Sequence, residues 1–291
     1  MKSIIEVQNL SKAYKKKTVL DKLSFRVNNG EIVALLGENG AGKSTLINLL
    51  NHLSSKDSGD IFIMGTQDIP SIRESISVMP QNNLSLNKIT VKEILNLARS
   101  YYKHPLSYEE LINLAGLKES ENRYVSLLSG GQKRRLTFAA TMAGNPQLIF
   151  LDEPTAGMDS QSRRNFWQRI AEYRKQGKTF FVTSHYLEEL DTIADRIMIL
   201  KDAHLVYDGT LVNLRQRSGE IVISFTTTLP KDAFANLQSI KELFLEEDSY
   251  QLITTNVSLT IEELTPLLSQ LSDLRVQESS LESLYEKLTK E

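Results

Sequence analysis

The stretch Gly37-Glu38-Asn39-Gly40-Ala41-Gly42-Lys43-Ser44-Thr45 fits the spacing G-x-x-x-x-G-K-[ST] of a loop that holds phosphate. Its glycines let the backbone curl until successive N–H groups point inward at an anion. Lys43 can reach β- and γ-phosphates, and the Ser44 hydroxyl can ligate Mg²⁺. Well downstream, the apolar run Leu148-Ile149-Phe150-Leu151 ends in the acids Asp152 and Glu153. Asp152 can hold Mg²⁺ directly or through water, and Glu153 can face a γ-phosphate and orient an attacking water. His185 ends another apolar run, Thr179 to Ser184, and could hydrogen-bond a γ-phosphate. Gln81 follows Pro80 at the end of Ser77-Val78-Met79; alone, it reads equally well as a nucleotide-reaching side chain or a surface amide. Tyr14, beside Lys15-Lys16-Lys17, could stack on an adenine, but spacing alone favours a half-exposed hairpin tip.

These residues need a scaffold that brings strand ends together. Glu31 to Leu36 reads as a buried strand into the phosphate loop, and Thr45 to Leu50 opens the helix behind it. The helix N-terminus adds partial positive charge to the anion site. Ile4 to Leu10, Thr18 to Leu20 and Leu23 to Val27 read as short strands of an antiparallel layer ahead of it, with Ser11 to Lys17 a turn. From Thr90 to Gly144 the pattern is helical: Thr90-Val91-Lys92-Glu93 is a capping box, Tyr108 to Leu114 a second helix, and Lys133 to Met142 a third. Leu128-Ser129-Gly130-Gly131-Gln132 interrupts it. From Gln147 on, strands (Gln147 to Leu151, Thr179 to His185, Arg196 to Leu200) alternate with helices (Ser162 to Gln176, Leu187 to Ala194), which implies a mostly parallel sheet. Ligands of such sheets bind beyond the strands' C-terminal ends, where the phosphate loop, Asp152–Glu153 and His185 all fall.

Bulk properties narrow the setting. The 291 residues are 41% apolar and 24% charged, an ordinary globular balance with room for a large domain and a small one. Lys and Arg number 34 against 36 Asp and Glu, so no global basic excess points to nucleic acid. Cysteine is absent, which excludes disulfides and cysteine-ligated metal and is compatible with the cytosol. Glu6 stands where a signal peptide would need its apolar core, and no apolar run is long enough to span a bilayer. Any membrane connection is expected through a partner.

Taken together, residues 1–215 resemble the ATP-binding subunits of ABC transporters. Gly37–Thr45 matches that family's Walker A loop, and Leu148–Glu153 its Walker B strand with the catalytic Glu. Gln81 falls at the Q-loop, where the resemblance also implies a metal contact, Ala156-Gly157-Met158-Asp159 at the D-loop, and His185 at the switch histidine. Tyr14 falls at the adenine-stacking aromatic, which reverses the reading from spacing. Leu128-Ser129-Gly130-Gly131-Gln132 matches the signature that separates this family from other phosphate-loop enzymes. The resemblance implies that Glu153, His185 and Gln81 serve hydrolysis, and that Tyr14, Gly37, Asn39 to Thr45, Ser129 to Gln132 and Asp159 hold nucleotide. Ser44, Asp152 and Gln81 would hold Mg²⁺.

A signature at a helix start is a second anion site, and one chain has one phosphate loop and one signature. In the family the signature closes over the γ-phosphate of the opposite subunit in a head-to-tail dimer. The expected partners are therefore a second ATP-binding subunit, most simply an identical one with a closely related subunit as the main rival, and a separate transmembrane permease that holds the chain at the cytoplasmic face of the membrane. Nucleic acid is not expected; a soluble ABC ATPase acting on ribosomes or nucleic acid is the alternative.

The expected fold is α/β: a phosphate-loop ATPase core with a mostly parallel sheet, an antiparallel β layer and a helical insert at about 84–144. Residues 216–291 follow as a small α+β domain, with a ferredoxin-like βαββαβ unit as the closest pattern. Its expected pieces are strands at Gly219 to Phe225, Leu243 to Leu245, Gln251 to Thr254 and Leu274 to Val276. Helices are expected at Asp232 to Leu237, from a Thr260 cap to Leu271, and at Leu281 to Leu288. The ending Val276 to Tyr285 resembles the tails of single-cassette subunits of ABC-2-type exporters.

Overall fold

Apolar residues at alternate positions of the first strand face one way and pack on a helix. The computed structural model describes residues 2–15, 17–82, 88–184, 187–246 and 249–290. In chain order its strands are β1 Ser3–Tyr14, β2 Lys17–Asn28, β3 Ile32–Leu36, β4 Ser58–Ile63, β5 Ile76–Met79, β6 Leu148–Asp152, β7 Thr179–Thr183, β8 Arg196–Lys201 and β9 His204–Gly209. Between them lie helices α1 Lys43–Leu50, α2 Ile69–Ile72, α3 Val91–Ser100, α4 Tyr108–Ala115, α5 Gly130–Thr141, α6 Ser160–Lys175 and α7 Leu187–Ile193. These elements make one unit, Met1–Gly209.

Its main sheet has the order β5-β6-β7-β3-β8-β9, parallel throughout except for the β8–β9 hairpin. Every residue of β3, β6 and β7 is buried, as expected for strands covered on both faces. A second sheet, β2-β1-β4, is antiparallel. Leu46, Leu49 and Leu50 of α1 share one core with Ile5, Val7 and Leu10 of β1 and Val33, Phe150 and Phe181 of the parallel sheet. Phe25 of β2 stacks on Phe181 at 6.3 Å. So α1 is held between the two sheets, with its N-terminus at the C-terminal end of β3.

The strands at the start run further than their sequence suggests. Ser11 to Tyr14, expected as a turn, continues β1, and the two strands expected in residues 18–27 are one. Register shifts along the β1–β2 pair and positive φ at Asn9 and Lys22 explain this. The bulges break the alternation without ending the strand. The hairpin strand β9 has no counterpart in the sequence reading; of its side chains only Tyr207 is buried.

Helices α3 and α4 start at capping boxes on Thr90 and Ser107, and α4 stops at Gly116, whose φ is +62°. Helix α5 begins earlier than expected: Ser129 is its N-cap and Gly130–Gly131 form its first turn.

The second unit, Thr210–Glu291, contains α8 Leu211–Ser218, β10 Ile221–Thr226, β11 Ile240–Glu246, β12 Ser249–Thr254, α9 Val257–Leu264, β13 Ser272–Glu278 and α10 Leu281–Lys290. Its sheet is antiparallel in the order β11-β12-β10-β13, the strand order of a ferredoxin-like unit. Between β10 and β11 the expected helix is only a 3₁₀ turn, Lys231–Phe234, anchored by buried Phe234 against Phe225 and Tyr250. The cap of α9 is Asn256 rather than Thr260, whose hydroxyl is buried and bonded to Thr254.

Candidate functional site

The phosphate loop runs from the end of β3 into α1. Gly42 is the left-handed N-cap of α1 at φ +110°, and a Cβ there would sit 2.8 Å from Val19 Cγ1, so only glycine fits. Lys43 is buried, and its ammonium donates to the carbonyls of Gly37 (2.7 Å) and Glu38 (3.0 Å). Burial holds its pKa below the ordinary lysine value, against the pull of Glu153 and Asp152. An ammonium has three N–H donors, so one remains beyond these two carbonyls.

The end of β6 faces this loop. The Ser44 hydroxyl donates to Asp152 Oδ2 at 3.0 Å, and the Thr183 hydroxyl at the end of β7 donates to Asp152 Oδ1 at 2.5 Å. Glu153 adopts φ +48°, held by its N–H bonding to the Thr183 carbonyl and hydroxyl, both at 3.1 Å. A carboxylate residue in the left-handed region is backbone strain kept at a strand end. Gln81 reaches the same place after β5 and donates its amide N–H to Glu153 Oε2 at 2.9 Å. That bond leaves the amide oxygen, the atom a cation needs, outside it.

A hard cation suits the Ser44–Asp152 pair, which presents two oxygens at hydrogen-bond distance. No three His, Cys, Asp or Glu side chains converge among the described residues. A metal there would take its remaining oxygens from water and nucleotide phosphate, as Mg²⁺ does.

Ser129, Gly130 and Gly131 lie at the N-terminus of α5. The Ser129 hydroxyl accepts from the Gln132 N–H, and Gln132 Oε1 accepts from the Ser129 N–H. Among the described residues no hydrogen bond or ion pair joins this turn to Gly37–Thr45. Asp159 caps α6 by accepting from the Ser162 N–H and hydroxyl, each at 2.8 Å. Tyr14 is 47% exposed at the end of β1, with the Lys12 ammonium 5.3 Å from its ring and bridged to Asp57. His185 lies outside the described residues. Gln81, Ser44, Asp152 and Glu153 are therefore brought together by hydrogen bonds, while the signature turn lies against Gly157 and Met158, just before Asp159.

Sequence reasoning missed two residues here. Thr183 orients Asp152, and its signal was a polar residue ending a buried strand. Arg134 is fully buried, and its signal was a charge four residues before Phe138 on the buried face of α5. A third group ties α6 to α7: Glu189 accepts from Thr155 and Trp167 and pairs with Arg163 at 2.5 Å.

Residues 20–156 match the family model described as ABC transporter. Over an alignment of 308 positions the chain is 31% identical to the linearmycin resistance ATP-binding protein of Bacillus subtilis, covering 98% of each. The chain belongs to the ABC transporter family. This ATP-binding subunit is also 37% identical to the Nod factor export ATP-binding protein I of Sinorhizobium fredii over 70% of its own length; it spans 62% of that relative, less than two thirds. The solved structure of an ATP-binding subunit of an ABC transporter superposes on 74% of this chain and 93% of its own at 28% identity, TM-score 0.68. A bacterial Atm1-family ABC exporter with ATP bound matches 73% of this chain and 40% of its own, at 25% identity and TM-score 0.66. Family membership carries the binding and hydrolysis of ATP. No helix among the described residues is long and apolar enough to cross a membrane.

Proposed function

We propose that this subunit powers a membrane exporter by binding ATP between two cassettes, closing them, and hydrolysing ATP to release them. The observation that carries this reading is a complete phosphate loop and a complete signature turn in one chain, with no hydrogen bond or ion pair between them among the described residues. Each is half of a site, and a head-to-tail pair of identical chains joins the halves twice.

Within each site the chain's own groups divide the work. The phosphate-loop N–H groups and Lys43 hold the β- and γ-phosphates. Tyr14 stacks on the adenine, and Ser129 with the N–H groups of Gly130 and Gly131 faces the partner's γ-phosphate. Ser44 and Asp152 would hold Mg²⁺, which when bound neutralises charge on the phosphate oxygens. Glu153 orients the attacking water and accepts its proton, and the Gln81 amide fixes that carboxylate's direction. His185 is assigned to the γ-phosphate side of the water, and Asp159 to the loop that meets the partner.

A groove of about 740 Å³ supports docking of a membrane-spanning partner. It lies between the core and the helical insert, lined by Ile69, Pro70, Ser77, Leu97 and Tyr101 among others, and Tyr101 is 75% exposed. It opens beside β5, whose end leads to Gln81, so a partner's helix seated there would touch the hydrolytic site's own support. The names of two relatives, Nod factor export and linearmycin resistance, support export over uptake.

The test is isolation of the Glu153→Gln chain from its native membranes in ATP and Mg²⁺. The reading expects a co-isolated multi-span protein. A ribosome or nucleic acid in its place contradicts the exporter reading.

A further inference from the structure

Arg134, on the signature helix α5, has none of its surface exposed and spends all five guanidinium N–H groups on main-chain carbonyls. Its Nε donates to Pro154 (2.8 Å), Nη1 to Pro80 (2.7 Å) and Gln81 (2.8 Å), and Nη2 to Asp152 (2.7 Å) and Glu153 (2.6 Å). Two of these carbonyls follow β5 and carry Gln81. The other three end β6 and carry Asp152 and Glu153. The two strands are parallel neighbours with Met79 opposite Leu151, so one planar fork clasps both ends at once.

The N-terminus of the same helix is the signature. Arg134 is one turn, about 6 Å, from Gly130 along a rigid rod. A Cβ on Gly130 or Gly131 would meet the Gly157 carbonyl at 3.8 Å, so the turn also lies against the loop that Arg134 holds at Pro154. Burial lowers the Arg134 pKa to about 10, against the pull of Asp152 and Glu153, so the clasp stays charged at neutral pH. A structural staple would need only to fill this space. The full set of donors aimed at the two segments that position Gln81 and Glu153 points further.

We propose that Arg134 is a positioning residue that makes the signature turn and the Gln81–Glu153 pair of one chain move as a unit. Phosphate captured at the signature then sets the geometry of that chain's own hydrolytic site. This rests on the head-to-tail reading above: the phosphate at the signature belongs to the partner's ATP, so Arg134 couples the two sites of the dimer. The coupling is reciprocal in binding and gives positive cooperativity.

The experiment compares full-length wild type, Arg134→Lys and Arg134→Met for ATP turnover against ATP concentration, binding of a non-hydrolysable ATP analogue, and thermal unfolding. Lys keeps the charge but has three donors for five carbonyls. The expected result for Arg134→Lys is turnover reduced roughly tenfold or more, and a Hill coefficient that falls from about 2 toward unity. Analogue affinity at the phosphate loop stays within about threefold, a change of less than 1 kcal/mol. Wild-type turnover and Hill coefficient in both variants, whatever the loss in melting temperature, overturn the inference alone. A wild-type chain that hydrolyses ATP without cooperativity overturns the dimer reading and the inference with it. Should the variants not fold, hydrogen exchange of the wild type decides: with the analogue, residues 129–137, 80–82 and 152–156 should gain protection together. Protection of the signature helix alone overturns the coupling.

Discussion

Lys43 and Glu153 lie in the same site and are expected to fail differently when replaced. Lys43→Ala removes a charge aimed at phosphate and should weaken ATP binding by about 2 kcal/mol, roughly thirtyfold. Glu153→Gln keeps the loop and should leave binding intact while slowing hydrolysis by about 10²- to 10⁴-fold. Equilibrium binding and steady-state turnover on the same preparations separate the two. Because burial depresses the Lys43 pKa, the nucleotide-free site loses its proton below the ordinary lysine range, whereas bound phosphate restores it. ATP affinity is therefore expected to fall as pH rises toward the ordinary lysine pKa, before that pKa is reached. The same titration on Lys43→Met should lack that fall. At this scale the legible residues were those whose neighbours advertise them: Gly42 by its spacing, Asp152 by the apolar run before it. Thr183 and Arg134 were not legible, because a hydroxyl ending a strand and a cation on a helix face have ordinary uses. Only the tertiary fold shows five carbonyls around one guanidinium.

Element ends place this chemistry. Gly42 begins α1 in a conformation that disfavours any side chain, beneath Val19 of β2. Gly42→Ala should cost about 1–3 kcal/mol in folding and lose most ATP binding; a denaturation midpoint and a binding isotherm together test this. In the second unit, Glu220 is buried beside the Lys287 (2.5 Å) and Lys241 (3.3 Å) ammonium groups. Burial raises its pKa, but the two cations outweigh it and the carboxyl sits below its ordinary value. Such a depressed carboxyl stabilises above its ordinary pKa and loses that contribution as pH falls through the lowered one. Because both lysines are partly exposed, Glu220→Gln should cost only about 1 kcal/mol at neutral pH. That difference should shrink in a urea-denaturation series as pH falls through the lowered carboxyl pKa. Helix starts with capping boxes were readable at Thr90, because the partner Glu93 is local. Strand lengths were not: bulges at Asn9 and Lys22 hide the alternation of β1 and β2. The Asp232 to Leu237 helix shrank to a turn because one buried aromatic, Phe234, holds that segment in place.

At the scale of the molecule, the parallel order β5-β6-β7-β3-β8 puts three proposed functional ends along one edge of the sheet: Gln81 after β5, Asp152–Glu153 after the adjacent β6, and the phosphate loop after β3, with β7 and its Thr183 between the last two. Strand–helix alternation made this arrangement readable before any coordinate. The proposed incompleteness of one chain also starts from the sequence, since one phosphate loop and one signature turn call for a second chain under the head-to-tail reading. Sedimentation velocity of Glu153→Gln, with and without ATP and Mg²⁺, tests that claim most directly. The account predicts a monomer without nucleotide and a dimer with it, and no dimer when Ser129→Phe is added to block the signature turn. A chain that binds ATP and remains a monomer at every concentration, or a dimer indifferent to both nucleotide and Ser129, would contradict it.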